Sequence, residues 1–108
     1  MIKFGVYRNK DGLITRLSIS GHAGYAESGY DIVCAAVSTA LWMAVKGIEE
    51  QQLAGVVSEQ DDGFVDCHLT PERESAADAI LNSLLITITE LAKQYKRNIF
   101  IVNGEDSL

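Results

Sequence analysis

The sequence is short of proline, cysteine, histidine and positive charge, and each shortage removes a class of protein. A single proline in 108 residues, with 47% of residues apolar, is not the composition of a disordered chain. Two cysteines, Cys34 and Cys67, are too few for a secreted disulfide framework, so both are read as reduced thiols in a cytoplasmic protein. The two histidines, His22 and His68, show no His-x-x-x-His spacing, and no Cys-x-x-Cys is present. No metal site is expected, and no cofactor is implied. Nine Lys+Arg stand against fifteen Asp+Glu, a formal net charge of −6. That balance argues against a nucleic-acid binder, whose affinity comes mainly from phosphate contacts, and suits a basic partner better. The segment Asp31–Ile48 is rich in apolar residues but carries Asp, Ser, Thr and Lys, so no membrane span is expected. The opening Met1-Ile2-Lys3-Phe4 alternates like a strand and lacks the apolar core of a signal peptide.

What remains fits one domain over residues 1–108, long enough to bury about 65% of its unfolded surface without staples. Met1–Arg8 alternates, with Ile2, Phe4 and Val6 on one face. Leu13, Thr15, Leu17 and Ile19 make a second alternating set, joined to the first through Asn9-Lys10-Asp11-Gly12 as a hairpin. Gly21–Tyr30 holds three glycines without a sustained period and reads as a loop. Asp31 is then an N-cap residue for a helix from Ile32 to about Gln51, apolar nearly all round. Gly55–Gln60 and Phe64–Leu69 form a second hairpin around Asp61-Asp62-Gly63. Thr70-Pro71 opens a second helix, whose apolar stripe runs from Ala77 to Tyr95. Ile99–Val102 is a short last strand, and Gly104–Leu108 a fraying tail. The expected architecture is α+β, in the order β-β-α-β-β-α-β, with two helices on a mainly antiparallel sheet. Strand order does not follow from the pattern.

One constellation could carry chemistry. With Asp31 as the cap, Cys34 falls in the first helical turn, where free backbone N–H groups and the helix dipole favour a thiolate. His22 lies twelve residues earlier, at the exit of the second strand. A strand–loop–helix connection could bring it to Cys34 as a base, with the N–H groups of Cys34 and Ala35 as oxyanion donors. Spacing by itself equally allows a core cysteine and an ordinary loop histidine. Cys67 and His68 are adjacent on a strand and point to opposite faces, Cys67 with Val65 and Leu69 towards a core. A cysteine phosphatase is disfavoured, because the position six residues beyond Cys34 is Ala40 and not the arginine its loop requires. Trp42 and Met43, on the apolar helix, are read as core or dimer contacts.

The stretch Gly21-His22-Ala23-Gly24-Tyr25-Ala26, followed by Asp31-Ile32-Val33-Cys34-Ala35-Ala36-Val37-Ser38, resembles the signature of the Prp family of ribosomal-processing cysteine proteases. The resemblance is sharp over residues 20–42. It implies a small cytoplasmic, homodimeric enzyme that removes the N-terminal extension of large-subunit ribosomal protein twenty-seven during ribosome assembly. It further implies that Cys34 is the nucleophile and His22 the general base. Several nearby residues are candidates for binding or supporting roles. Asp31 could orient His22 or simply cap the helix, and Ser38 lies one turn after Cys34. Gly21, Gly24 and Gly29 could let the loop close over a peptide, and Tyr25 and Tyr30 could line a pocket. The alternative reading is a non-catalytic ribosome-assembly or interaction module that keeps a thiol near a histidine. The expected partners are the ribosomal-protein precursor and a second copy of the chain, without direct contact to nucleic acid or membrane.

Overall fold

The computed structural model describes residues 1–21, 28–61 and 63–106. Its elements are β1 (Ile2–Arg8), β2 (Ile14–Ser20), α1 (Ser28–Glu50), β3 (Ala54–Asp61), β4 (Phe64–Arg73), α2 (Ser75–Gln94) and β5 (Ile99–Glu105), in the order the sequence predicts. The five strands form one sheet in the order β3-β4-β2-β1-β5. All neighbouring pairs are antiparallel except β1 with β5, which run parallel.

The first hairpin turns where Asn9 and Gly12 dictate. The Asn9 side-chain oxygen accepts from the backbone N–H groups of Asp11 and Leu13, each at 3.0 Å, and Gly12 adopts φ +82°. Pairing then slips: Tyr7 faces Arg16 but Arg8 faces Ile14, so Thr15 is an extra residue in a bulge. The slip reverses the alternation, and Ile14 enters the core where the period-two pattern placed Leu13. The Thr15 hydroxyl donates instead to Asp106 Oδ2 at 2.6 Å. That bond, with Asp106 N–H donating to the Arg8 carbonyl at 2.8 Å, fastens a tail expected to fray. The last strand accordingly runs to Glu105 and not only to Val102.

Two helix boundaries differ from expectation. Thr70 and Pro71 do not start α2; they continue β4, which extends to Arg73. Between the pairs Val56–Leu69 and Ala54–Arg73 the register shifts, and Pro71 sits in that irregularity, where a missing N–H breaks no ladder bond. The buried Arg73 guanidinium holds the strand end by donating to the Ile14 carbonyl at 2.7 Å and to Asp78 at 3.4 Å. Helix α1, in turn, begins at Ser28, so Asp31 is a residue of its first turn and not its cap.

Cross-strand register puts Ile2, Phe4, Val6, Leu17, Ile19, Val65, Cys67 and Leu69 on one sheet face, all buried. Against them pack Val33, Val37, Leu41, Ala44, Val45 and Ile48 of α1, with Ala77, Leu81, Leu84 and Ile88 of α2. The three- and four-residue spacing of each set makes a stripe that closes over the sheet. By length and composition alone both helices are long and apolar enough to cross a bilayer, a test that the core helix of a layered α+β domain also passes. Their stripes are buried against the sheet in this fold. Among the described residues no helix covers the outer sheet face. There Arg16 lies 4.7 Å over the Tyr7 ring and bonds Asp66 at 2.9 Å, and His68 stands 3.3 Å from the same carboxylate. Tyr7 in turn lies across Gly5 and Gly104, where any added Cβ would meet its ring within 2.7 Å.

Candidate active site

Cys34 is half-buried and opens into a cleft of about 280 Å³ at the sheet end where β2 and the β3–β4 hairpin meet. Ile2, Ile19, Val37 and Val65 form its apolar part, and Ser38, Gln60 and Asp61 its polar part. A larger cleft of about 640 Å³ at the far end of β3 is lined by Glu49, Glu72, Arg73 and Glu74 but holds no thiol or histidine, so size does not select the site.

The positions follow from local folding. Val33 and Val37 face the core and fix the rotation of α1, which leaves Cys34 and Ser38, four residues apart, along the edge that meets the cleft. Gly21 ends β2 with φ +87°, and its N–H donates to the Gly63 carbonyl at 3.0 Å. A Cβ at Gly21 would stand 2.5 Å from the Met1 carbonyl oxygen. Only glycine suits both that backbone conformation and that contact. Gly63, itself at φ +70°, closes the β3–β4 turn and so ties the hairpin tip to the residue before His22.

Of the residues singled out from sequence, Cys34, Ser38 and Gly21 come together around this cleft. Gly29, Tyr30 and Asp31 belong to the first turn of α1, where a loop and a cap were expected. His22, Gly24 and Tyr25 lie outside the described residues. Because α1 begins at Ser28, Cys34 is its seventh residue. The free N–H groups of a helix are confined to its first four residues, so those of Cys34 and Ala35 are inside the ladder. The expectation that Cys34 lies in the first turn, with these N–H groups as oxyanion donors, is therefore corrected. Gln60 and the hairpin tip were missed. Gln60 precedes the predicted turn and its face follows from alternation, but without strand order nothing pointed that hairpin at Cys34.

Cys67 occupies the opposite kind of environment. It is fully buried, the Ser58 hydroxyl donates to its sulfur at 3.5 Å, and burial pushes the thiol's pKa up. His68, next to it, faces the outer side of the sheet beside Asp66, so the two do not form a working pair. Trp42 packs partly against the core, whereas Met43 is exposed.

The family described as cysteine protease Prp matches residues 1–100 of the chain. The ribosomal processing cysteine protease Prp of Staphylococcus aureus is 29% identical over 106 residues, covering 92% of this chain and 95% of that protein. Its counterpart from Bacillus subtilis is 28% identical over 112 residues, covering 96% and 98%. The crystal structure of the S. aureus protease with a covalently linked product peptide superposes with a TM-score of 0.84 at 28% identity, covering 95% of this chain and 99% of that one. A structure of the S. aureus protease with a substrate peptide matches at the same TM-score of 0.84. The half-buried thiol in a cleft, the matched fold and the matched sequence agree: this chain belongs to the cysteine protease Prp family.

Proposed function

We propose that this chain is a cytoplasmic endopeptidase that removes the N-terminal extension of large-subunit ribosomal protein twenty-seven, with Cys34 as nucleophile and His22 as general base. The observation that carries the reading is the opening of the Cys34 thiol into a partly apolar cleft at a strand end. The likeness of the chain to ribosomal processing proteases, one of them solved with a substrate peptide, supports a peptide substrate of this class. The net charge of −6 suits a basic ribosomal protein through long-range attraction.

In this reaction Cys34 Sγ gives its proton to His22 and attacks the scissile carbonyl carbon, whose C=O π pair moves onto oxygen. The oxyanion collapses, the C–N bond breaks, and the proton on His22 goes to the leaving amine. Water, deprotonated by His22, then releases the thioester as a carboxylate and restores the thiol. The test is an intact-mass measurement of the purified precursor with and without the protein. A single new mass, smaller by a short N-terminal peptide, is the expected result. An intact precursor that nonetheless binds the protein would favour the assembly-module alternative.

We further propose that the active species is a homodimer. Ile32 and Met43 of α1 are 65% and 69% exposed. They flank an apolar groove between the helices, also lined by Ala36, Ala40, Leu84 and Thr87. A two-fold partner would cover that face. Sedimentation at micromolar concentration should give twice the chain mass, and Met43→Glu should shift it to monomer. A monomer for the unaltered protein would remove the dimer.

A further inference from the structure

We propose that Gln60 is a catalytic residue of this protease: its side-chain amide donates the hydrogen bond that holds the oxyanion during attack by Cys34. The proposal rests on Cys34 being the nucleophile. Acyl transfer places negative charge on the former carbonyl oxygen, and enzymes of this kind supply an N–H or O–H aimed at that oxygen. The start of α1 at Ser28 takes the N–H groups of Cys34 and Ala35 out of consideration, because they serve the helical ladder. The N–H of Gly21, also at the cleft, is spent on the Gly63 carbonyl at 3.0 Å.

Among the described residues lining the cleft, Gln60 is the only one whose side chain carries an amide N–H. Ile2, Ile19, Val37, Phe64 and Val65 carry no donor, and Asp61 as a carboxylate only accepts. Ser38 also carries a hydroxyl, but it stands on the thiol's own helix one turn beyond Cys34, whereas Gln60 reaches the cleft from β3. Gln60 pairs with Val65, and Val65 with Ile19, so all three occupy the helix side of the sheet, where Cys34 lies. Alternation along β3 sends Asp61 to the other side, so the amide and not the carboxylate shares the face of the thiol. Gln60 is exposed on the edge strand and makes no side-chain hydrogen bond among the described residues. Its amide is thus available to a substrate oxygen and is drawn out of water as the peptide covers it. A neutral donor also serves the oxyanion without adding a fixed charge beside the thiol.

The experiment compares Gln60→Ala and Gln60→Glu with the unaltered protein on the ribosomal-protein precursor. Both should lower kcat by about a hundredfold or more, the usual cost of a lost oxyanion donor, with KM within about threefold. A peptide aldehyde ending at the mapped cleavage site forms a tetrahedral adduct with the thiol, and its affinity should fall by a similar factor. Alkylation of Cys34 by iodoacetamide passes through no oxyanion, and its rate should be unchanged in Gln60→Ala, whereas the carboxylate of Gln60→Glu disfavours the thiolate and slows it. Because Gln60 is exposed, thermal melting should also be unchanged, and Gln60→Glu preserves shape if the alanine variant folds poorly. A kcat within about threefold of the original in either folded variant overturns the proposal. So does an alkylation rate in Gln60→Ala that falls in step with kcat, which would place the damage at the thiol. Cleavage that survives Cys34→Ala would instead overturn the site assignment on which the proposal rests.

Discussion

The two cysteines of this chain are a natural experiment in what position does to one side chain. Cys67 stands mid-strand beneath both helices, wholly enclosed, its sulfur accepting a hydrogen bond from Ser58. Cys34 stands on the edge of α1, half-enclosed, with a cleft in front of it. A histidine adjoins Cys67 in sequence, and none adjoins Cys34. Adjacency in sequence does not make Cys67 and His68 a pair, because neighbouring strand residues face opposite ways. What separates the two thiols is access and face.

The largest effect should come from the sharpest cut between them. Cys34→Ala should lower precursor cleavage by at least about a thousandfold while leaving the melting temperature nearly unchanged, since a half-buried sulfur is small. Cleavage at a comparable rate would end the contrast. Next in size is selectivity towards limiting iodoacetamide at neutral pH. Peptide mapping should find Cys34 alkylated on the order of a hundredfold faster than Cys67, which is shielded and held as a neutral thiol. Equal labelling of the two would show that burial does not protect Cys67.

A smaller, thermodynamic signature belongs to Cys67 alone. Its folded-state pKa is raised, so below the ordinary thiol range, about 8.5, both states keep the proton and no pH dependence arises. Above that range the unfolded chain loses the proton first, and stability falls as pH rises towards the folded value. Urea midpoints measured from pH 8 to 10 should therefore decline less steeply in Cys67→Ala than in the original. The same variant should lose about 1–2 kcal/mol at pH 7 through its small cavity, with cleavage unaffected. An identical slope in the two proteins would argue against the buried neutral thiol. The smallest effect is expected of His68→Ala: a cleavage rate within about twofold, and a stability change of about 0.5 kcal/mol or less, because the ring is 42% exposed. A large loss of cleavage would reverse the assignment of roles to the two cysteines.

Much of the fold was legible because its signals are local. Asn9 and Gly12 marked the first turn, Gly63 the second, and the Ala77–Ile88 stripe marked α2. The failures share a cause, which is that pairing between distant strands overrules local preference. Pro71 has a strong preference for the first turn of a helix, but β3 holds it in a strand. The bulge at Thr15 exchanges Leu13 for Ile14 in the core. Asp31 was a plausible cap, yet α1 takes up its start from Ser28. In the candidate site, Cys34 and Ser38 were legible from a contiguous signature. Gln60 was not, because its place depends on strand order and on which sheet end faces α1.

The parallel pairing of β1 with β5 also says something about how the molecule forms. Ile2 lies opposite Ile99, so one flank of β1 waits for a strand synthesised almost a hundred residues later. Closing so long a loop costs entropy before any contact repays it, which makes such pairings late events on a folding pathway. A partly synthesised chain can form the β1–β2 hairpin and lay α1 over it, but the flank of β1 stays open until Glu105 arrives. During that interval the open edge of β1 can pair with another chain.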